Sequence, residues 1–389
     1  MKEDIKKVIM SISDELCKIS DKIYDYNEIS TKEYKSCKLL EDYLEANGFR
    51  VERKIGNMDT AFRAVYENGE GGPSFGLLAE YDALETLGHG CAHHMQGPSI
   101  IGAAMAIKEI CKDSPYKIVV YGTPAEETLG GKIIMQENGC FQDIDIALMM
   151  HGASSTGVDI KCMALENFVV TFKGRAAHAA MNPEEGRSAF DAALLSFQGI
   201  EFMREHVLED TRIHYTIRNA GGAPNVVPDT AVAEYTLRSY SSDYLSTIVE
   251  RFYNVIKGAC LMTDTSYEIH RDPAFMSKIP SYILNDIVME QAEIFSAPQI
   301  SEPRKKTGST DFGNVMYHVP GTCIRIAFVD EGIPAHSDEY VKAGKSERAH
   351  NALLIASQIL AGTCIELLND KEKLEAVKRE FEINKNKYR

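Results

Sequence analysis

The sequence lacks several features that mark whole classes of protein. It has no apolar run of about 18 residues or more, so no membrane-spanning segment is predicted. Its 42 basic residues face 57 acidic ones, a formal charge of −15, so the basic surface that nucleic acids and anionic membranes require is missing. No CxxC pair, signal-peptide core, repeat or low-complexity linker is present. The nine scattered cysteines therefore indicate free thiols and a cytoplasmic location.

The length and the hydrophobic pattern predict two domains. A chain of 389 residues exceeds what one hydrophobic core usually supports. Strand and helix patterns alternate from residue 50 to residue 151 and return after residue 275, which predicts an α/β domain with a mostly parallel sheet covered by helices. Residues 3–47 read as two amphipathic helices, and the last twenty residues as a solvated helix or a frayed tail.

The middle of the chain follows a different pattern. Between residues 165 and 274 the order of strands and helices is β-α-β-β-α-β, the pattern of a ferredoxin-like α+β unit. We therefore expect a discontinuous catalytic domain, residues 1–164 with 275–389, into which a lid domain, residues 165–274, is inserted.

Chemically active side chains recur directly after the predicted strands of the first domain. Carboxyl ends of parallel strands meet at one edge of a sheet, where α/β proteins build their sites. Thiolates, imidazoles and carboxylates are normal ligands of zinc-like ions. A lone CxH or Glu-Glu pair is weak, but the joint placement predicts a metal site formed by Asp82, Cys91, His93, Glu126, Glu127, His151 and His336.

The Glu126-Glu127 pair suggests how such a site would work. Adjacent side chains point in different directions, so one carboxylate can hold a metal while the other faces a water molecule. Asp82 would support a ligand from behind and completes the predicted catalytic set. His89 reads as a turn or supporting residue, and His94 as a residue that orients a ligand.

Eight motifs in a fixed order extend this interpretation. The order LLAEYDAL, GHGCAHH, GTPAEE, MMHG, GRAAHAA, GGAPNVVPD, GSTDFGN and IPAHSDE, over residues 75–345, resembles the carboxypeptidase G and aminoacylase family of two-metal peptidases. It is most similar to the amidohydrolase branch with aminobenzoyl-glutamate hydrolases, indole-acetyl-amino-acid hydrolases and β-alanyl-lysine dipeptidases. The resemblance implies two divalent ions, zinc or manganese before nickel or cobalt, and a homodimer formed through the lid.

The same resemblance implies individual roles. Cys91 would bridge the ions, which His93, Glu127, His151 and His336 would also bind, while Glu126 would act as general base and then acid. His178 would meet the substrate carbonyl and Asn225 would grip the substrate carboxylate; His214 and Arg238 are further candidates for that grip, or ordinary strand residues. Ala92 stands where the family usually has Gly, a small change unless the turn needs a positive φ. His94 replaces an Asp or Asn.

The predicted function is hydrolysis of an amide bond in an N-acyl or N-aroyl amino acid or a dipeptide, with short peptides as an alternative substrate. A binding or storage protein with a structural or degenerate metal site is a second possibility. A non-catalytic metal site of this kind does not explain the presence of Glu126. An enzyme that uses Cys91 as a nucleophile is a third possibility, and it leaves Glu127, His151 and His336 unexplained.

Overall fold

A computed structural model describes residues 1–304 and 306–388 of the chain. These residues form two compact units, each with its own hydrophobic core. The first unit comprises residues 1–162 and 278–388, and the second comprises residues 163–277. The two units are described separately below.

The first unit is built on a sheet of seven strands in the order β1-β2-β4-β3-β5-β11-β6. The strands, numbered along the whole chain, are β1 Arg50–Arg53, β2 Phe62–Asn68, β3 Ser74–Ala79, β4 Tyr116–Gly122, β5 Ile146–Ala153, β6 Gly157–Val158 and β11 Gly321–Ala327. The four central strands β4, β3, β5 and β11 pair in parallel, whereas the outer strands pair antiparallel. The predicted α/β class with a mostly parallel sheet is confirmed.

Residues on the two faces of the central strands enter different cores. In β3, Phe75 and Leu77 join the larger core while Leu78 joins the smaller one on the opposite face. In β4, Val120 and Val119 divide in the same way. This arrangement explains why these strands read as continuous apolar runs, since both faces are buried.

Helices cover both faces of this sheet. The first unit contains α1 Lys2–Ser11, α2 Ser13–Tyr26, α3 Tyr34–Ala46, α4 Gln96–Ile110, α5 Gly131–Glu137, α8 Tyr282–Ile294, α9 Phe312–Met316, α10 Asp338–Lys342, α11 Glu347–Asn369 and α12 Lys371–Tyr388. Helix α11 is long and apolar enough to pass a test for a membrane span, but 83% of its most apolar window is buried inside the fold. It is therefore packed as a core helix of this unit.

The chain termini differ from the sequence prediction. Residues 3–47 hold three helices rather than two, because Ile12 leaves the helical conformation between α1 and α2 and Asn27 adopts a left-handed conformation that ends α2. The last residues form helix α12, which buries Leu374, Val377 and Phe381. One side of the predicted solvated helix therefore packs against the fold.

The second unit is a four-stranded antiparallel sheet with two helices. Its elements are β7 Ala164–Lys173, α6 Ala189–Arg204, β8 Arg212–Asn219, β9 Thr230–Ser239, α7 Ser242–Thr263 and β10 Ser266–Arg271, with the strand order β10-β7-β9-β8. Ser188 and Ser241 cap the two helices through their side-chain oxygens. Phe168, Phe172 and Phe252 lie fully buried between helices and sheet. This is the ferredoxin-like arrangement that the sequence pattern predicted.

A glycine in the first unit ties helix α5 to the loop that carries Glu126 and Glu127. A Cβ atom added at Gly131 would lie 1.8 Å from the carbonyl oxygen of Pro124. We expect Gly131→Ala to lower the free energy of unfolding by about 1–3 kcal/mol, since rigid backbone on both sides must move. Urea unfolding measures this. Gly258→Ala is the control, because nothing lies within 4 Å of its added Cβ; equal stability of both variants would contradict the prediction.

Candidate active site and metal centre

A cavity of about 400 Å³ opens at the carboxyl edge of the parallel strands in the first unit. Its lining comes from the loops after β3, β4 and β11, from β5 and β11 themselves, and from segments near residues 159–162, 278, 304 and 307–316. Six of the predicted site residues line it: Cys91, His93, Glu126, Glu127, His151 and His336. The structure therefore brings together side chains from positions 91 to 336 at one place.

Cys91 and His336, two of the predicted ligands, are in direct contact. The Cys91 Sγ lies 2.8 Å from His336 Nε2. The His336 backbone N–H donates to the Gly90 carbonyl oxygen at 3.0 Å, which fixes one loop against the other. Cys91, His93 and Glu127 offer ligand atoms within 4.8 Å of one another, close enough to hold one ion.

Asp82 orients this group from behind the cavity. His93 Nδ1 lies 3.0 Å from the Asp82 carbonyl oxygen and 3.3 Å from its carboxylate. The other carboxylate oxygen accepts from the Ser30 hydroxyl at 2.7 Å and from the Glu127 backbone N–H at 3.0 Å. Asp82 is buried and touches two predicted ligands, so it positions them rather than facing a substrate in the cavity.

His151 completes a second set of close ligand atoms. Its ring stands perpendicular to that of His93 with the centroids 5.5 Å apart, and Glu80, His93 and His151 offer atoms within 4.8 Å of one another. Burial, with the positive charges of Arg325 and His93, lowers the pKa of His151 to about 3. The imidazole is therefore neutral, the form that binds metal ions.

The electrostatics of the cavity favour bound cations. Burial and the neighbouring Glu80 and Asp311 carboxylates raise the pKa of Glu126 well above its usual value. Burial and the Glu127 and Glu126 carboxylates likewise raise the pKa of the Cys91 thiol. Burial and the neighbouring carboxylates disfavour the negatively charged thiolate of Cys91 in the absence of a cation. Divalent ions would offset the negative charge and deprotonate the thiol.

Glu127 shows the same need for a cation. Its Oε1 atom is buried and has no hydrogen-bond partner among the residues that the structure describes. A buried polar atom without a partner costs about 1–3 kcal/mol, so such atoms normally have a ligand. The donor set of a thiol, imidazoles and a carboxylate fits zinc-like ions.

A buried ionic triad behind the cavity was missed by the sequence analysis. The Lys132 ammonium contacts Glu80 Oε1 at 2.5 Å and Asp311 Oδ1 at 2.7 Å, and all three side chains are fully buried. Glu80, Glu126 and Asp311 form a third group of close oxygens, but here the lysine ammonium contacts two of them. Glu80 also lies 3.1 Å from His93 Nε2 and so links the triad to the predicted ligands.

His89 and His94 lie outside the lining of the cavity. His89 Nε2 is 3.1 Å from the Ile23 carbonyl oxygen, and His94 Nε2 is 2.8 Å from that of Gly344. Both rings pack against Tyr24, and burial lowers the pKa of each imidazole. The two neutral histidines tie the loop to helix α2 and to the turn before α11.

Three turns that carry the site have left-handed backbone conformations. Ala92 has φ 58°, Ala125 has φ 61° and His336 has φ 65°, although none is a glycine. The turn between Cys91 and His93 does require a positive φ, so the Ala92 substitution noted in the sequence is strained. Such strain persists only where surrounding contacts fix the backbone, and it is common at functional sites.

The remaining predicted residues belong to the second unit and form two pairs. The Ala179 backbone N–H donates to the Asn225 carbonyl oxygen at 2.9 Å, which places the exposed His178 beside the Asn225 turn. His214 on β8 and Arg238 on β9 lie on the same face of adjacent strands, two register positions apart, and partial burial together with the charge of Arg238 lowers the pKa of His214.

Comparison with known proteins agrees with this picture. A family model described as a peptidase dimerisation domain matches residues 165–261. A p-aminobenzoyl-glutamate hydrolase component of Escherichia coli is 30% identical over 94% of this chain and 91% of its own. The Xaa-Arg dipeptidase of Mus musculus is also 30% identical, over 93% of this chain and 88% of its own.

The solved structures share the fold. The Bacillus subtilis YXEP protein, described as a dinuclear metal binding peptidase from the M20 family, aligns with a TM-score of 0.72 at 20% identity, over 92% of this chain and 99% of its own. Together with the relatives at 30% identity, the fold and the site define the class: a hydrolase of amide bonds with candidate metal ligands at the edge of an α/β sheet. The chain belongs to the M20 family, the carboxypeptidase G and aminoacylase family of two-metal peptidases, in its amidohydrolase branch.

The buried triad yields a prediction about stability. Lys132→Met would leave Glu80 and Asp311 as buried carboxylates without their cation, so we expect a loss of about 3–5 kcal/mol in the free energy of unfolding. Urea unfolding of the metal-free protein measures it. Lys345→Met is the matched control, since its pair with Asp25 is solvent-exposed and contributes at most about 1 kcal/mol. The prediction is wrong if the two variants lose the same stability.

Proposed function

We propose that the protein hydrolyses the amide bond of an N-acyl or N-aroyl amino acid, or of a dipeptide. The observation that carries this proposal is the Glu126-Glu127 pair: Glu127 stands among the candidate ligands, and the adjacent Glu126 lines the same cavity. The two relatives described above are named for an aroyl-amino acid and for a dipeptide, which supports the same substrate class.

The residues fit a centre of two divalent ions. Cys91, His93, Glu127, His151 and His336 would hold them, and His93 belongs to both sets of close ligand atoms. When bound, such ions lower the pKa of a water molecule and polarise a carbonyl group. The thiol and the imidazoles favour zinc, with manganese as the next candidate and nickel or cobalt after it.

Glu126 has the properties of a residue that moves a proton. Its pKa is raised by burial and by neighbouring carboxylates, so it can accept a proton from water and later return it. In the proposed reaction Glu126 removes a proton from the attacking water and delivers it to the nitrogen of the leaving amine. Asp82 keeps His93 and Glu127 in position during both steps.

Residues of the second unit would complete substrate binding. We propose that His178 donates to the substrate carbonyl oxygen and that Asn225 holds the substrate carboxylate. Their adjacent positions at the His178–Val226 bridge support a shared task. His214 and Arg238, a second close pair on β8 and β9, are the further candidates for the same carboxylate.

Replacement of Glu126 tests the mechanism. We expect Glu126→Gln to keep bound metal and to lose turnover by about 10²–10⁴-fold, since the amide cannot carry the proton. Metal analysis and release of free amino acid from a panel of acyl amino acids measure the two properties. Glu127→Gln is the matched control and is expected to lose metal as well as activity. A Glu126→Gln protein with undiminished turnover would remove Glu126 from the mechanism.

The same assay separates the two alternatives. A binding protein with a degenerate site releases no amino acid even after reconstitution with zinc or manganese. An enzyme with Cys91 as nucleophile stays active after metal removal, whereas we expect a chelator to abolish turnover and added metal to restore it.

We also propose a homodimer formed through the second unit. Strand β8 is an edge strand, and helix α6 near it exposes Leu194 and Phe202, the latter at 76%. The match to a peptidase dimerisation domain covers both elements. Acidic overall charge and nine free cysteines are consistent with a cytoplasmic protein that binds neither nucleic acid nor membrane.

The dimer has a direct test. We expect light scattering to give twice the chain mass for the native protein and a shift toward the monomer for Phe202→Glu, because a buried charge opposes association. Met262→Glu is the control, since Met262 is 69% exposed on α7, the helix beside the opposite edge strand. A monomeric native protein would end this proposal.

A further inference from the structure

The cavity has a second end that is lined by cations. Arg304, Arg325 and Lys278 line the same cavity as the candidate metal ligands, together with Asp159. The function proposed above assigns no role to these residues. All four belong to the first unit, so the site is complete within it.

Asp159 holds the two arginines in fixed positions. Arg304 forms a two-pronged pair with it, Nε to Oδ1 and Nη2 to Oδ2, both at 2.6 Å. Arg325 Nε contacts the same Oδ2 at 3.0 Å. The Lys278 ammonium donates to the Asp159 carbonyl oxygen at 2.9 Å. Two guanidinium groups therefore share one carboxylate, and the cluster keeps at least one positive charge.

Arg325 retains donors that can reach a ligand. Among the residues that the structure describes, its hydrogen bonds involve only the Nε atom, so both terminal nitrogens remain available to the cavity. A guanidinium with two parallel N–H groups matches the geometry of a carboxylate. The pair with Asp159 keeps Arg325 charged and in place without using these groups.

The position of Arg325 relates this end to the metal centre. Arg325 on β11 is the register partner of His151 on the adjacent parallel strand β5. Neighbouring strands lie about 4.8 Å apart, so the two side chains leave the sheet side by side on the same face. A group bound by Arg325 would thus lie a few bonds away from a carbonyl placed at the candidate metal ligands.

We propose that the Asp159–Arg304–Arg325 cluster binds a carboxylate of the amino-acid half of the substrate and disfavours a cationic amino acid there. This inference rests on the proposed function and narrows it. The two relatives at equal identity are named for glutamate and for arginine on this side of the bond, and the positive cluster favours the acidic class. The carboxylate is either the α-carboxylate or one on the side chain.

Binding to an inactive protein tests the cluster directly. The ligands are N-benzoyl-glutamate, N-benzoyl-glutamine and N-benzoyl-arginine, titrated by calorimetry into metal-loaded Glu126→Gln protein with and without Arg325→Gln. We expect the glutamate compound to bind more tightly than the arginine compound, and Arg325→Gln to weaken it by about tenfold or more. A loss confined to the glutamate compound identifies the side-chain carboxylate, and an equal loss for all three identifies the α-carboxylate.

The variants are chosen to keep the fold. In Arg325→Gln, Asp159 retains its two-pronged pair with Arg304, so no carboxylate is left unpaired. Arg325→Lys keeps the charge but loses the paired N–H groups, and an intermediate affinity is expected. Arg348→Gln, at an exposed pair with Asp330, is the control and should leave all affinities unchanged. Thermal melting of each protein verifies folding.

Two results would overturn the inference: unchanged affinity for all three compounds in Arg325→Gln, or tighter binding of the arginine compound by the unmodified cluster. Turnover by the wild-type protein and by Arg325→Gln with Glu126 intact is measured in parallel. Binding that depends on Arg325 without any turnover would sink the proposed hydrolysis and leave the carboxylate site standing. Turnover that is the same with and without Arg325 would support the proposed hydrolysis and reject the carboxylate site.

Discussion

The structure depends on a concentration of buried negative charge at one edge of a sheet. Glu80, Asp82 and Asp311 are buried at the cavity or directly behind it, Glu126 and Glu127 are half-buried in its lining, and the Lys132 ammonium contacts two of the buried carboxylates. Like charges so close raise one another's pKa values unless cations intervene. The chain supplies one cation permanently as Lys132, on the inner side. The outer side, with Cys91 and the imidazoles, offers the close ligand atoms that a divalent ion requires.

This arrangement also accounts for the strained backbone around the site. Ala92, Ala125 and His336 each hold a conformation that costs roughly 1 kcal/mol or more for a residue with a Cβ atom. The hydrogen bond from His336 to Gly90 and the contact of Asp82 with Glu127 hold these turns in place. The parallel strands from which these loops emerge are buried on both faces. Their packing stabilises the unit and offsets the cost of the strained backbone conformations.

The sequence predicted the parts of the site that follow from strand order. Cys91, Glu127, His151 and His336 each come near the end of an apolar run, and parallel pairing alone brings such positions together. Lys132 could not be found in this way, because it lies in the first turn of helix α5 rather than after a strand, and its partner Asp311 lies in a loop with no periodic pattern. Arg325 was hidden for another reason: it alternates with apolar residues and reads as an exposed strand position, whereas it lines the cavity beside His151. The antiparallel direction of the outer strands β1 and β2 could not be predicted, since hydrophobic alternation does not fix strand direction.

The two ends of the cavity constrain each other through adjacent strands. Burial first, and then the charge of Arg325 on the adjacent strand, lower the pKa of His151, so the imidazole is neutral, the form that binds metal ions. Asp159 in turn holds Arg325 and Arg304, so the positive end stays ordered without drawing on the carboxylates of the metal end. A cavity with an acidic, metal-accepting end and a cationic end suits a molecule whose polarised carbonyl and free carboxylate are separated by a few bonds. An N-acyl amino acid has both groups at that spacing, and a peptide amide without a nearby carboxylate has only one.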